Sequence, residues 1–220
     1  MKTIGRILRN ILLLIFILLL VFVLMAFGLV CLGSANYPVK YGTEIQKAAQ
    51  DHGIDPYYAL AIVKAESDFQ PEAKSKVGAK GLMQIMPKTA DWLAEQKKIS
   101  LSEEDLTDPE KNLDLGCYYL SYLIQHFQNR DLATAAYNGG LNQVDSWLKE
   151  GTITWERESL SNIPVSETRE YLGKVNKNYE IYRIFYQDGI PEQSRSRGLL
   201  SLAWHNFLNT LRWFVNSVRN

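Results

Sequence analysis

The hydrophobic pattern divides the chain into an apolar N-terminal run, a mixed central region and an amphipathic C-terminal run. Residues 11–32 are uncharged and almost entirely apolar, and this run is long enough to cross a hydrocarbon core. Lys2, Arg6 and Arg9 precede it, which predicts that the N-terminus stays in the cytoplasm. We therefore expect a basic cytoplasmic tail at residues 1–10 and a transmembrane helix at residues 11–32.

A cleaved secretory signal is the alternative for this run, and the small residues at 33–35 would offer a cleavage site. Such signals usually have an apolar region of only ~7–15 residues, so the greater length favours a retained anchor. Cys31 is interpreted as a membrane-facing residue, because Val30 before it is not the small residue that a lipoprotein signal usually has.

The central region carries the signals of helices. Asp55-Pro56 and Asp108-Pro109 each place an N-cap residue before a proline at the first helical position. After the second start, apolar residues recur on one helical face, and these are Leu113, Cys117, Leu120, Ile124 and Phe127. No segment alternates convincingly with the period of a strand, apart from a doubtful 152–155. The fold is therefore predicted to be all-α.

The remaining boundaries follow from capping residues and glycines. Asp131 and Ser166 are expected to cap two helices, and residues 82–86 are expected to form a helical turn that Pro87 ends. Further helices are expected over 41–52, 88–96 and 141–149, with loops over 68–80 and 151–165.

The C-terminal run is separated from the central region by a polar linker, residues 188–198. Residues 199–218 form an amphipathic pattern, and its polar face is expected to include Asn206, Asn209 and Arg212. We expect this helix to lie on the outer face of the membrane, with Arg195 and Arg197 in the linker attracted to anionic lipid. Packing onto the central domain, or into the groove of a partner protein, are the alternatives.

Charge is uneven although the net charge is zero. Residues 1–36 carry three basic and no acidic residues, residues 37–188 carry 17 basic and 23 acidic, and residues 189–220 carry four basic and one acidic. An acidic central domain argues against a nucleic acid as partner. The basic ends favour an anionic membrane surface.

Metal and thiol chemistry have little support in the sequence. Cys117 is interpreted as a core residue, and the position of Cys31 in the membrane segment makes a disulfide between them implausible. The three histidines, His52, His126 and His205, are far apart and lack metal-ligand spacing, so we expect no zinc site and no hydrolase triad.

Glu66 is the strongest candidate for chemistry. It follows the apolar run 57–65, so it is expected near the C-terminal end of a largely buried helix. Burial and the negative end of the helix dipole both raise a carboxyl pKa. A carboxylic acid that stays protonated near neutral pH is what a general acid needs, although a solvated glutamate at a helix end is the ordinary alternative.

Several motifs in the central region occur in the order and spacing of one family. They are Glu66-Ser67, then Pro71, Ala73 and Ser75, Gly78-Ala79, Gly81-Leu82-Met83-Gln84, the run from Ala136 to Gly140, Ile163-Pro164, and the run from Glu167 to Tyr171. Together they resemble the lytic transglycosylases of the soluble (SLT) type, relatives of goose-type lysozyme. The resemblance covers residues 37–187 and implies a lysozyme-like catalytic domain there.

The resemblance implies cleavage of peptidoglycan at the β-1,4 bond between N-acetylmuramic acid and N-acetylglucosamine. Glu66 would protonate the bridging oxygen and then act as base on the C6 hydroxyl of the muramic residue, which closes a 1,6-anhydro ring. The substrate's own N-acetyl group would stabilise the positive charge that develops, so one carboxyl suffices. The resemblance also implies that no metal or cofactor is needed.

The other motif residues are implied to bind substrate. The resemblance gives Ser75 and Gln84 hydrogen bonds to the sugar and has Met83 pack against it. It also has Tyr137 and Asn138 orient the acetamido group. Glu167 and Tyr171 would complete the cleft.

Two other readings stay open. A hydrolytic muramidase on the same fold would differ only in its product, and a non-catalytic wall-binding subunit of an envelope machine would not need Glu66. The expected localisation is the bacterial cytoplasmic membrane, single-pass, with the catalytic domain on the cell-wall side. Protein partners and the biological process do not follow from the sequence.

Overall fold

The structure of the protein is a computed structural model that describes residues 2–192 and 198–219. Over these residues the chain forms α-helices and short 3-10 helices with no β-strand, which confirms the predicted all-α class. The helices group into two compact units. One unit contains the first and last helices with residues 184–186, and the other contains residues 39–183 and a short segment from Gln187.

The helices follow one another along the chain with short connections. Their bounds are α1 Lys2–Asn36, α2 Gly42–Asp51, α3 Pro56–Glu66, α4 Pro87–Lys97, α5 Pro109–Phe127, α6 Arg130–Gly139, α7 Leu141–Lys149, α8 Ser166–Phe185 and α9 Leu199–Arg219. Two 3-10 helices, Glu104–Leu106 and Arg157–Asn162, lie in the connections before α5 and α8.

Two of the predicted helix starts are confirmed by their capping bonds. The side chain of Asp55 accepts from the backbone N–H of Tyr57, and that of Asp108 accepts from the N–H of Lys111. The predicted cap at Asp131 is wrong, because the side chain of Asn129 accepts from the backbone N–H groups of Asp131 and Leu132 instead. Asp131 lies inside that helix and pairs with Arg157, 3.3 Å away.

One buried cluster of the larger unit is built mainly on α5, α6 and α7. Leu123, Phe127, Leu132, Val144 and Trp147 are among its buried residues. Cys117 is also fully buried in α5, which confirms its assignment to the core, and burial raises the pKa of its thiol to about 12. Val144 and Trp147 show that α7 covers the same core that α5 and α6 enclose.

The prediction of a helical turn at residues 82–86 is wrong. The segment is a tight turn in which Lys80 and Ile85 exchange two backbone hydrogen bonds of 3.1 and 2.9 Å. Gln84 has a φ of 48°, a left-handed conformation that a helical turn does not contain. Pro87 then starts α4 rather than ending a preceding turn.

The smaller unit pairs α9 with the end of α1. The ring of Phe27 contacts the rings of Trp204 and Phe207 at centroid distances of 5.9 and 5.6 Å. Residues Ile4–Asn36 of α1 are long and apolar enough to cross a membrane, and no other described helix meets that description.

The polar face predicted for α9 needs a correction. Asn206 and Asn209 are fully buried, because Asn206 donates to Ser34 Oγ at 3.0 Å and Asn209 donates to the carbonyl of Phe185 at 2.9 Å. Leu202, which lies off the predicted apolar stripe, is buried as well.

The predicted linker, residues 188–198, is described only in part, and Arg195 and Arg197 lie outside the described residues. Its first part is attached to α2. The N–H of Gly42 donates to the carbonyl of Glu192 at 2.9 Å, and Gln46 donates to the carbonyl of Ile190 at 3.0 Å. Residues 190–192 therefore pack with the larger unit.

Candidate active site

Glu66 is the last residue of α3, a helix whose middle is almost wholly buried. The residues from Tyr58 to Val63 are each exposed by 1% or less, so α3 runs through the interior of the larger unit. Glu66 itself is partly buried where α3 ends. The local structure therefore agrees with the predicted buried helix. The carboxyl of Glu66 lies where α3 ends at the edge of the core.

Helix α8 is hydrogen-bonded to the C-terminal half of α3. Tyr171 donates its hydroxyl to Glu66 Oε1 at 2.5 Å, and Lys174 donates to the carbonyl of Ala65 at 2.6 Å. Further along, Asn178 donates to the carbonyl of Ala61 at 3.3 Å. Because the residue numbers rise along one helix as they fall along the other, the two helices are antiparallel, and α8 holds Glu66 in position.

The carboxyl of Glu66 has the electrostatic environment of an acid. Burial is the main cause that raises its pKa, from 4.5 to about 7. The hydrogen bond from Tyr171 and the charge of Lys174 act in the opposite direction and stabilise the carboxylate. A carboxyl whose pKa lies near neutral can both give and take a proton at that pH.

A tight turn, residues 81–85, packs beside the end of α3. Ser67, the residue after Glu66, donates its hydroxyl to the carbonyl of Leu82 at 2.8 Å. Asn112 of α5 accepts from the N–H of Met83 at 2.7 Å and donates to the carbonyls of Lys80 and Leu106. Asn112 is fully buried, and these three bonds determine the path of the turn.

Two glycines make this packing possible. A Cβ at Gly81, where φ is +83°, would lie 2.2 Å from the Asn112 amide nitrogen and from the carbonyl oxygen of Leu106. A Cβ at Gly116 would lie 2.2 Å from the sulfur of Met83. Neither position has room for a side chain, since such separations are shorter than any ordinary contact.

Tyr137 lies on the other side of the same turn. Its hydroxyl donates to the carbonyl of Met83 at 2.8 Å, and its ring is partly buried. Asn138 follows it and is partly exposed at the end of α6. Thr168 of α8 packs against Gly139, where an added Cβ would come within 3.0 Å of its hydroxyl. The ends of α3, α6 and α8 therefore meet around the turn.

Ser75 and Gln84 hold the loop that lies between α3 and α4. Ser75 Oγ accepts from the N–H of Ala79 at 3.0 Å, and the Gln84 side-chain amide donates to the carbonyls of Ala73 and Gly81. The substrate contacts expected of these two residues would therefore come in addition to structural ones.

Met83 is buried, whereas Glu167 is exposed to solvent. Met83 is fully buried against Gly116, so the expected packing of its side chain on a sugar is not what the structure shows. Met86, three residues further on, is 37% exposed. Glu167 is exposed in the first turn of α8, four residues before Tyr171.

Two features of the site were missed by the sequence reasoning. One is Asn112, whose only signal is a polar residue beside the buried stripe of α5. The other is an aromatic groove that includes Trp92, Tyr119 and Tyr122. Within residues 2–192 and 198–219, no group of three His, Cys, Asp or Glu side chains is arranged to hold a metal ion.

Comparisons with known proteins identify the family of this chain. The profile of the family described as "Transglycosylase SLT domain" matches residues 43–158, which is more than half of the chain. The architecture around Glu66 is that of the lysozyme-like lytic transglycosylase fold. The chain belongs to the SLT transglycosylase family.

Among its relatives, the soluble lytic murein transglycosylase of Escherichia coli is 38% identical over 156 residues, 69% of this chain. The membrane-bound lytic murein transglycosylase C of Edwardsiella ictaluri is 34% identical over 167 residues, 66% of this chain. The chain spans only 24% of the first relative and 46% of the second.

Solved structures show the same similarity. The 70-kDa soluble lytic transglycosylase of E. coli matches 71% of this chain and 26% of its own length, at 36% identity and a TM-score of 0.64. An inactive Glu-to-Gln mutant of the lytic transglycosylase Slt of Pseudomonas aeruginosa matches 67% of this chain and 24% of its own, at 36% identity and a TM-score of 0.63.

Proposed function

We propose that this chain is a membrane-anchored lytic transglycosylase of peptidoglycan. It cleaves the β-1,4 bond between N-acetylmuramic acid and N-acetylglucosamine and leaves a 1,6-anhydromuramic end. The observation that carries the proposal is the carboxyl of Glu66, buried at the end of α3, hydrogen-bonded by Tyr171 and with a pKa raised to about 7. The names of the relatives support the same substrate and reaction.

In the first step Glu66 gives its proton to the bridging oxygen as the bond to the anomeric carbon breaks. The leaving sugar departs with a free hydroxyl, and positive charge develops on the muramic residue. The acetamido oxygen of that residue stabilises the charge, so a second carboxylate is not required. Glu66 is left as a carboxylate, which the hydrogen bond from Tyr171 and the charge of Lys174 stabilise.

In the second step the carboxylate of Glu66 takes the proton of the C6 hydroxyl on the same muramic residue. The C6 oxygen bonds to the anomeric carbon and closes the anhydro ring, and Glu66 is protonated again for the next cycle. No water is consumed. A pKa close to neutral suits both steps, because the same group acts first as acid and then as base.

The remaining candidates take binding roles around Glu66. Tyr137 and Asn138 would orient the acetamido group at the end of α6, and Ser75 and Gln84 would bind sugar hydroxyls from the loop. The inactive Glu-to-Gln mutant of the P. aeruginosa enzyme shows that a glutamate is essential in that relative, which supports an essential glutamate here. For Met83 we propose an indirect role, since its side chain is buried and its carbonyl accepts from Tyr137.

The test is the mass of the products released from purified peptidoglycan by the full-length protein in mild detergent. We expect muropeptides one water lighter than hydrolysis products, released far more slowly by Glu66→Gln. Fully hydrated reducing ends would make the chain a muramidase instead. Glycan binding without any cleavage would favour the non-catalytic wall-binding subunit.

We also propose that the protein is held at the cytoplasmic membrane by α1, with the N-terminus inside and residues 37–187 on the cell-wall side. The support is the apolar length of α1 and the basic residues Arg6 and Arg9 before the apolar run. Protease added to spheroplasts should degrade the central domain. Protection of that domain would contradict the orientation, and a mature N-terminus near Asn36 would contradict retention of the anchor.

The contact between α9 and Phe27 of α1 supports a second attachment. Because Phe27 lies within the candidate span, α9 would lie at the level of the lipid, with Phe214 and Val218 among its exposed apolar side chains. Brominated lipids in proteoliposomes should quench tryptophan fluorescence, and Trp213→Phe should reduce the quenched fraction. An unchanged fraction would place this face of α9 away from lipid.

A further inference from the structure

A cavity of the larger unit lies between the start of α6, the second 3-10 helix and the middle of α8. Its volume is about 260 Å³, and Arg157, Leu160, Arg169 and Gly173 are among the residues that line it. We call it the α8 cavity. None of these four residues has a role in the proposed cleavage, so the cavity is a separate candidate for binding.

The α8 cavity and the candidate active site lie on opposite faces of one helix. Tyr171 and Lys174 contact the end of α3 at Glu66 and the residue before it. Successive residues of an α-helix are rotated by about 100°, so Arg169 and Gly173 lie on the other side of α8 from Tyr171. A ligand in the cavity would therefore not touch Glu66.

The charges in the α8 cavity favour an anion. Within the described part of the chain, Asp131 is the one acidic residue that lines it, and both of its oxygens already have partners. Asn176 donates to Oδ1 at 3.1 Å, and Nε of Arg157 lies 3.3 Å from Oδ2. Asp131 therefore neutralises one of the two arginines, and the cavity keeps a net positive charge.

Arg169 is oriented by a backbone contact. One of its terminal nitrogens donates to the carbonyl of Ile163, which uses one of the three guanidinium nitrogens. The other two, and the terminal nitrogens of Arg157, can bind a ligand. Arginine is well matched to a carboxylate, because two parallel N–H groups can meet two oxygens.

Gly173 gives an independent indication of a ligand. Glycine is unfavourable inside a helix, and close packing explains the other helical glycines of the larger unit. An added Cβ at Gly42, Gly116 or Gly139 would lie within 3.0 Å of another residue. At Gly173 an added Cβ would meet nothing within 4 Å, and its φ lies outside the left-handed region. Neither packing nor backbone conformation requires this glycine, whereas a ligand that approaches the helix backbone does.

The end of a short peptide fits the uncharged part of the cavity. Leu160 and Leu172 supply an apolar wall, and Ser161 lies beside them. The hydroxyl of Ser161 donates to the carbonyl of Glu158, so its oxygen can still accept from a peptide N–H. Wall peptides that end in D-alanine present a carboxylate beside a methyl group, which match the arginines and the leucines.

We propose that the α8 cavity binds the terminal carboxylate of a peptide on peptidoglycan. The inference rests on the proposed function, because it takes peptidoglycan as the polymer that the enzyme binds, and it adds a contact to the peptide rather than to the glycan. This contact holds the enzyme on strands that carry peptides and takes no part in proton transfer.

The binding test titrates diacetyl-L-lysyl-D-alanyl-D-alanine into the full-length protein in mild detergent, with its arginine side chains labelled with ¹⁵N. We expect the Nε–H signals of Arg157 and Arg169 to shift. The same peptide with a C-terminal amide should bind about tenfold more weakly, because it lacks the charge that the arginines pair with. Equal binding of acid and amide, or no shift with either, would overturn the proposal. Shifts with inorganic phosphate but not with the tripeptide would also overturn it and assign the cavity to phosphate groups.

Two variants test the cavity itself. Gly173→Leu fills its floor and should weaken tripeptide binding about tenfold, yet it should raise Tm because leucine is a better helix former than glycine. Arg157→Gln should weaken binding about tenfold as well. Lys177→Gln, which removes an exposed cation of α8 outside the cavity, is the matched control and should bind as the wild type does. Unchanged affinity in Gly173→Leu would contradict the proposal, and Arg157→Gln keeps the test decisive if Gly173→Leu unfolds.

Kinetics on glycan strands separate this inference from the proposed cleavage. On strands that carry peptides, KM of Gly173→Leu should rise about threefold with little change in kcat, because the contact binds ground state and transition state alike. On strands stripped of their peptides the variant and the wild type should not differ. Equal KM values on the peptide-bearing strands would overturn the role of the cavity while leaving the cleavage activity intact. The tripeptide titration involves no cleavage, so it decides the inference even if the chain proves to be a muramidase.

Discussion

Two buried asparagines show how differently the two units of the molecule accommodate a polar group. Asn112 in α5 and Asn206 in α9 are both fully buried. Asn112 uses its oxygen and its nitrogen in three hydrogen bonds, to Met83 and Lys80 at the turn beside Glu66 and to Leu106 in the 3-10 helix before α5. Asn206 donates to Ser34 Oγ, but its own oxygen has no partner within the described residues.

The difference reflects what each region has to hold in place. An amide with complete partners specifies one geometry and stabilises it, whereas an acceptor left unpaired in an apolar interior costs free energy. In the larger unit the buried side chains of Asn112 and Ser67 hold the turn at residues 81–85 in position beside Glu66. In the smaller unit the oxygen of Asn206 lacks a hydrogen-bond partner, so we infer that the stability of this unit depends less on its buried amide.

The largest effect is expected at Glu66 itself. Glu66→Gln keeps the shape of the side chain and removes the titrating proton, so turnover should fall by ~10²–10⁴-fold or more. Glu72→Gln, an exposed glutamate in the following loop, is the matched control and should retain its rate. Undiminished turnover in Glu66→Gln, measured by release of soluble muropeptides, would mean that another residue is the acid.

Asn112→Leu tests the larger unit's dependence on its buried amide. The change leaves the N–H of Met83 and the carbonyls of Lys80 and Leu106 without their partner, which should lower the free energy of unfolding by about 3 kcal/mol. For a domain of this size that corresponds to a fall in Tm of roughly 10 °C. Circular dichroism of the full-length protein measures it, and an unchanged Tm would show that water replaces the amide.

The pH profile of activity should respond to the partners of Glu66. The acid must be protonated, so kcat/KM falls as pH rises through the Glu66 pKa of about 7. The hydrogen bond from Tyr171 lowers that pKa, so Tyr171→Phe should raise it and move the alkaline limb to higher pH. Lys174→Met should move the limb in the same direction but less. Lys177→Met, on an exposed position of α8, should leave it in place, and a limb that Tyr171→Phe moves to lower pH would contradict the assignment.

Asn206→Leu is the smallest change and the direct counterpart of Asn112→Leu. It removes an unpaired acceptor, and Ser34 keeps its hydrogen bond to the carbonyl of Val30. The free energy of unfolding should therefore change by about 1 kcal/mol or less. A loss of unfolding free energy as large as that of Asn112→Leu would contradict the inference that the smaller unit depends less on its buried amide.

Local signals allowed much of the fold to be predicted. Asp55 and Asp108 could be recognised as caps because a cap bonds only to the next few residues along the chain. Asn129 and Asp131 are two positions apart, and both are of residue types that commonly cap helices. Residue type alone therefore could not show that Asn129 is the cap. The turn near Gln84 was mistaken for helix because its left-handed residue is not a glycine.

The predictions that were wrong concern residues whose contacts are far away in the sequence. Met83 is buried because Gly116, more than thirty residues later, leaves room for it. Asn206 and Asn209 looked polar and solvent-facing because their partners, Ser34 and the carbonyl of Phe185, belong to other helices. Tyr171 was expected in the cleft only through the family resemblance, and nothing in the local sequence indicates that its hydroxyl meets Glu66.

The most direct test of the account is the titration of the Glu66 carboxyl, followed by ¹³C NMR of the protein labelled at its glutamate side chains. The account predicts one carboxyl that titrates at about pH 7, that disappears in Glu66→Gln and that shifts to higher pH in Tyr171→Phe. If every glutamate carboxyl titrates near its ordinary pKa of 4.5, Glu66 is solvated and is not the buried acid proposed here.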